Sequence, residues 1–211
     1  MRDAENIRAV ERLGIDMMGF ICWPKSPRYV HEVPAYLPKC PRVGVFVNPS
    51  LDEIQKYNEA FDFSFIQLHG SESPEFCQAV REKTGCKVIK AKSLSPTPSP
   101  VGEGNKCQSR QLLNTPSPTG EGWGEAILLF DTKCPTHGGS GRKFSWDVLR
   151  DYRGDLPFLL SGGIGPEDAE SLRQFHHPKC LGIDINSRFE TEPGIKDVEK
   201  IRQFMKALAK N

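Results

Sequence analysis

The chain has 211 residues, with 28 Lys and Arg against 27 Asp and Glu and a net charge of +1. That balance gives no electrostatic case for a nucleic-acid or membrane partner, although a small anionic ligand needs only a few local cations. No apolar run approaches the roughly 18 residues of a membrane span, and seven cysteines with no C-x-x-C pair fit reduced thiols in a cytoplasmic protein.

The charged amphipathic start reads as a helix over 3–13 rather than a signal peptide. Asp3 is placed to cap it, and Ile7, Val10 and Leu13 recur at helical spacing. Seven short, β-rich apolar runs follow: "DMMGFIC" (16–22), "RVGVFVN" (42–48), "FSFIQLH" (63–69), "CKVIKA" (86–91), "AILLFDT" (126–132), "LPFLLSGG" (156–163) and "CLGIDIN" (180–186). Helical stretches lie between most of them, at 51–61, 74–84, 166–175 and 196–208. Runs that are nearly all apolar suit strands buried on both faces of a parallel sheet. This β/α alternation fits a doubly wound sheet, and equally a (β/α)8 TIM barrel lacking its first strand. The barrel is preferred, because polar and Gly-rich residues gather after the strands' C-terminal ends, where barrel active sites are built. Residues 1–211 read as one domain.

One segment breaks the rhythm. "TPSPVGEG" at 97–104 returns as "TPSPTGEG" at 115–122. Its Pro, Ser, Gly and Glu cannot form a packed core, so 93–124 reads as an inserted, solvated and mobile loop in place of the helix after "KVIKA". A binding loop or lid is the alternative.

The chemistry concentrates at strand ends. Asp131 ends a strand, where a partly desolvated carboxyl can serve as general acid; a helix cap or structural hydrogen bond is the plainer reading. Gly138, Gly139 and Gly141 then allow close backbone approach to a ligand. Ser161, Gly162 and Gly163 follow the seventh expected barrel strand, and Asp184, Asn186 and Ser187 the eighth. Loops at these two places form the phosphate cup of many such barrels. Arg28 could fork onto a carboxylate as Lys25 could not, or be a solvated loop residue. Gln67 and His69 end another strand, with His69 read as a supporting hydrogen bonder. No His or Asp cluster suggests a metal.

Taken together, "GFICWPKSPRYV", "VGVFVN", "IQLHG", "FDTK…GGSGRKFSW", "LSGGI" and "GIDINSRFE…PGIKD" resemble the phosphoribosylanthranilate isomerase family of tryptophan biosynthesis. The resemblance covers nearly all the chain outside 93–124. It implies a cofactor-free, metal-free TIM barrel that converts N-(5-phosphoribosyl)anthranilate into 1-(2-carboxyphenylamino)-1-deoxyribulose 5-phosphate. By resemblance, Asp131 protonates the ribose ring oxygen and Arg28 holds the anthranilate carboxylate. Gly162, Gly163, Asn186 and Ser187 surround the phosphate. Asp184 orders that loop, since a carboxylate repels a phosphate dianion.

The family's first strand ends in a Lys-x-Cys-Gly motif whose cysteine is the general base, and the helix starting "MRDAENI" should follow it. Two expectations come from its absence here: impaired turnover, and unpaired strand edges that invite a homo-oligomer. Neither Cys22 nor Cys134 occupies the base position. The rivals are another sugar-phosphate isomerase barrel and a non-catalytic phosphate-ligand binder.

Overall fold

The structure is a computed structural model that describes residues 1–93, 126–131 and 146–209. The first three helix starts are each marked by a residue whose side chain satisfies an otherwise orphaned backbone N–H. Asp3 accepts from Asn6 at the start of α1 (Ala4–Glu11), and Ser50 from Glu53 at α2 (Leu51–Phe61). Ser73 accepts from Phe76 at α3 (Pro74–Thr84), whose Pro74 stands in the first turn, where no N–H is missed. Gly85, at φ 71°, ends α3 in the left-handed conformation that a Cβ would penalise.

Between the helices run β1 (Met18–Ile21), β2 (Arg42–Phe46), β3 (Phe65–Leu68), β4 (Lys87–Ser93), β5 (Ile127–Asp131), β6 (Phe158–Ser161) and β7 (Cys180–Ile183). They pair in parallel, strictly in chain order, as a seven-stranded sheet curled into a half-barrel. Val43, Ile89, Ala91, Leu129 and Leu159 fill its inner face. Phe20, Phe46, Ile66, Leu68, Val88, Leu128, Phe130, Phe158 and Leu160 point outward into the layer under the helices. Burial on both faces explains why β2 to β6 read as mostly apolar, whereas β7 leaves Leu181 59 % exposed. In β2 the outward layer is crowded enough to demand Gly44, since a Cβ there would lie 2.5 Å from the Phe63 ring.

β1 and β7 end the strand order. The chain itself partly covers the outer side of β1. Gly19 O accepts from the Met1 amine at 2.9 Å, Ile21 O accepts from the Val30 N–H at 2.9 Å, and Tyr29 bridges to Ile21 in parallel.

The strands and α2 and α3 fall where the alternation put them; two stretches differ. The helix expected over 166–175 is a 3-10 turn (Pro166–Asp168) followed by the short α4 (Ala169–Arg173). The last helix, α5 (Val198–Leu208), starts after its cap Asp197, which accepts from the Lys200 N–H, so Lys196 lies outside it. Lys196 belongs instead to an unanticipated antiparallel ribbon of β8 (Glu190–Glu192) and β9 (Ile195–Lys196), turned by Gly194 at φ 89°. Residues 94–124 of the segment read as an insertion lie outside the described residues, as do Gly138, Gly139, Gly141 and Cys134. Among the described residues, no helix is long and apolar enough to cross a membrane.

Candidate active site

Because side chains alternate along a strand, the positions that follow the inner-face residues open onto the C-terminal mouth of the sheet. Two beyond Phe65 and Leu129, this puts Gln67 and Asp131 on the inner side; His69 continues β3. Ser161 follows Leu159 in the same way.

Asp131 and His69 meet there. His69 Nε2 lies 3.1 Å from Asp131 Oδ2, and Gln67 Nε2 lies 3.2 Å from His69 Nδ1. The Gln67 amide nitrogen can only donate, so Nδ1 accepts and the ring proton sits on Nε2, which donates to Asp131. One carboxylate oxygen of Asp131 is thereby engaged, in a side chain that remains 18 % exposed. His69 thus links Gln67 to Asp131.

The two phosphate-loop candidates follow β6 and β7, the next strands in order after the β5 that carries Asp131. Gly162 and Gly163, at φ 86° and 69°, turn the chain sharply after β6. Both values lie where only glycine is unstrained, and a Cβ at Gly163 would face open space. After β7, the Ser161 hydroxyl donates to Asp184 Oδ2 at 3.0 Å, and the Asp184 N–H donates to Leu160 O at 2.7 Å. Asp184 thus ties the β6 and β7 ends together. Burial pushes its carboxyl above the ordinary value, opposed by the Ser161 hydroxyl and the Lys196 charge. Asn186 and Ser187 are exposed on the next turn.

Arg28 leaves the loop after β1 and reaches the ribbon beyond β7. Its Nε lies 2.8 Å and its Nη2 2.7 Å from Glu190 Oε2. Glu190, its side chain 4 % exposed, also accepts from Lys196 Nζ and the Gly194 N–H, both at 3.1 Å. Lys196 Nζ in turn donates to Asn186 Oδ1 at 2.6 Å and Asn186 O at 3.1 Å. Burial alone would raise the Glu190 carboxyl, but the two cations outweigh it and hold it below the ordinary value. Burial also pulls the Lys196 ammonium down, with Glu190 opposing.

The sequence reading assigned no role to Glu190 and Lys196, though both lie within "SRFETEPGIKD". Their ribbon is too short and polar to show as strands. A second buried pair was also missed. Lys90 Nζ donates to Glu72 Oε2 at 2.9 Å and to Gly70 O at 2.7 Å, with both side chains 3 % exposed. Glu72 also accepts from the Asn48 and Gly70 N–H groups, so the pair braces the turn that follows His69. A lysine inside the apolar run "KVIKA" was the available signal.

Cys22 does not face this mouth. It packs with Met18 and Phe20 on the helix side, 1 % exposed, and burial pushes its thiol up to about 12. Among the described residues, no group of three or more His, Cys, Asp or Glu could hold a metal ion. An apolar cavity of about 580 Å³, lined by Leu160, Leu172, Phe175 and Leu181 beside β7, includes none of the candidate residues.

A family model described as "N-(5'phosphoribosyl)anthranilate (PRA) isomerase" matches residues 1–207. The N-(5'-phosphoribosyl)anthranilate isomerase of Phocaeicola vulgatus is 44% identical over 209 residues, which cover 99% of this chain and 94% of that protein. The crystal structure of phosphoribosyl anthranilate isomerase from Thermotoga maritima superposes with a TM-score of 0.74 at 31% identity, covering 99% of this chain and 95% of that one. A further phosphoribosyl anthranilate isomerase, solved in complex with reduced 1-(o-carboxyphenylamino)-1-deoxyribulose 5-phosphate, superposes at 0.69 with 27% identity, covering 99% and 98%.

Proposed function

The chain belongs to the N-(5'-phosphoribosyl)anthranilate isomerase family, and from that premise we propose that its site carries out the Amadori rearrangement of N-(5-phosphoribosyl)anthranilate in tryptophan biosynthesis. The observation that carries this reading is the placement of Asp131. It ends β5 with one oxygen held by His69, between the Gly162–Gly163 turn on one side and the Arg28 loop on the other.

In the proposed reaction, the carboxylic acid of Asp131 gives its proton to the ribose ring oxygen as the bond from that oxygen to C1 breaks. The aniline nitrogen lone pair moves into the new double bond, leaving a protonated imine. His69 Nε2–H steadies the resulting Asp131 carboxylate. A base then takes the C2 proton, and the enolamine takes a proton at C1 as its C2 hydroxyl gives one up, leaving the ketone. No oxidant or metal is required, since the carbon skeleton only exchanges hydrogen between C1 and C2. Arg28 would bind the anthranilate carboxylate, with Gly162, Gly163, Asn186 and Ser187 around the phosphate.

Slow turnover is a separate proposal. It rests on the C2 step, because Cys22 is turned to the helix side and its thiol is protonated at neutral pH. The near-complete match to isomerases speaks for the activity and lends nothing to an impairment. The five described cysteines are all free, which suits the proposed cytoplasmic compartment.

Isomerase turnover of this chain, of D131N, and of a version extended by a strand ending in Lys-x-Cys-Gly tests both proposals. D131N should lose about 10²- to 10⁴-fold in kcat/KM, as expected for a general acid. Undiminished activity in D131N would overturn the acid assignment. Equal turnover with and without the extension would overturn the impairment.

A further inference from the structure

Glu190 takes no part in the proposed reaction, yet Arg28, Lys196 and the Gly194 N–H all donate to it. A guanidinium can accept a bidentate carboxylate along either of two edges, Nε–Nη2 or Nη1–Nη2. Glu190 occupies the first: Nε is 2.8 Å and Nη2 2.7 Å from Oε2, and Nε is 3.1 Å from Oε1. Nη1 has no partner among the described residues, so the second edge stays open on a side chain that is 23 % exposed.

We propose that Glu190 is a positioning residue that fixes Arg28 by its Nε–Nη2 edge, so that the Nη1–Nη2 edge is held ready for the aromatic carboxylate of the substrate. This rests on the reading of Arg28 as the carboxylate receptor.

Three features favour that role. Arg28 sits on a loop, where a free arginine would lose rotamer entropy on binding, and Glu190 removes that freedom in advance. Glu190 is itself immobilised, because Lys196 and the Gly194 N–H hold Oε1. Lys196 is fixed in turn: Asn6 donates from Nδ2 to Lys196 O at 2.8 Å and accepts at Oδ1 from the Lys196 N–H at 2.8 Å. Finally, Lys196 Nζ also grips Asn186. The chain Arg28–Glu190–Lys196–Asn186 therefore runs from the proposed carboxylate receptor to the proposed phosphate loop, setting the spacing of the ligand's two anionic ends.

The test is calorimetric binding to the folded full chain with two probes. One is reduced 1-(o-carboxyphenylamino)-1-deoxyribulose 5-phosphate; the other is its phenylamino counterpart without the carboxyl group. In E190Q the first should lose about tenfold in affinity while the second changes less than about twofold, a selectivity that a purely structural role would not produce. R28A should abolish the preference for the carboxylated probe, and adding E190Q to it should cost nothing further. E190D, which keeps the charge balance against Arg28 and Lys196 but shortens the reach, should show the same selective loss and carries the test if E190Q does not fold. Parallel losses for both probes, or none, overturn the role of Glu190 while leaving Arg28 as receptor if R28A abolishes the preference for the carboxylated probe. If R28A keeps that preference, the receptor reading falls, and this inference with it.

Discussion

His69 donates from Nε2 to Asp131 Oδ2 at 3.1 Å while its Nδ1 accepts from Gln67, so the tautomer of the ring is set by a neighbour two residues away on the same strand. A neutral imidazole that can only donate toward Asp131 stabilises the carboxylate left after proton donation without competing for the proton. H69A should therefore lower kcat by about 10- to 100-fold, consistent with removal of one aligned donor, with KM changed less than about threefold. H69Q, which retains an N–H donor, should recover part of the loss. Steady-state kinetics of the two variants check this, and a loss confined to KM would contradict it.

The Lys90–Glu72 pair should matter to folding more than to chemistry. Both side chains are 3 % exposed, so removing one partner strands the other charge in the interior. K90M is expected to cost about 3–5 kcal/mol, and the double variant K90M/E72L to recover most of it. Urea unfolding of the single and double variants measures both quantities. Equal stability of K90M and the wild type would show that the pair is dispensable.

The same pair, with Glu190, gives a direction for acid sensitivity. Burial would raise the Glu72 carboxyl, but its bonds from Lys90 and the Asn48 N–H prevail, so it lies below the ordinary value of 4.5. Glu190 is depressed likewise by Arg28 and Lys196. A carboxyl depressed in the folded state binds fewer protons there than when unfolded, so its contribution is complete above about pH 4.5 and is lost as pH falls through the folded value. Unfolding free energy should drop below about pH 4.5, and E72Q should show a shallower drop over that window. A wild-type profile flat from neutrality to pH 3 would rule this out.

The apolar alternation made the sheet legible because β2 to β6 are buried on two faces, and Asp3 announced its helix through a cap that needs no tertiary contact. What stayed hidden depends on contacts between distant residues. Arg28 and Glu190 are 162 positions apart, and their meeting follows from the curl that brings the β1 and β7 ends near each other. Lys90 looks exposed by type and is buried only because Gly70 O and Glu72 are folded over it. Asn6 reaches Lys196 across 190 positions to hold a ribbon of two short strands that no periodicity could reveal.

Gly44 is a comparable case with a sharper test. Its type says only that the strand has a weak point; the structure shows the Phe63 and Phe46 rings where its Cβ would be, at 2.5 and 2.8 Å. Phe63 and Phe46 also pack edge to face, with centroids 6.3 Å apart, and so have little room to retreat. G44A should cost about 1–3 kcal/mol through overpacking, despite alanine's better strand entropy. A thermal melt of G44A at or above the wild-type midpoint would mean that the rings move aside freely.

Cys22 gives the last prediction, one of no effect. It ends the β1 run close to the mouth and is the described cysteine that sequence position would nominate as a substitute base. Its side chain instead turns to the helix layer, where burial raises the thiol to about 12, so the fraction ionised near pH 8 is on the order of one in ten thousand. Alkylation by iodoacetamide at pH 8 should leave Cys22 unmodified in the folded protein, as read by peptide mass. C22A should keep kcat within about twofold of the parent chain while lowering stability by the cost of a small core cavity, about 1 kcal/mol. A fall in kcat of a hundredfold or more in C22A, with the fold intact and ligand still bound, would move the thiol into the reaction and overturn its placement on the helix side.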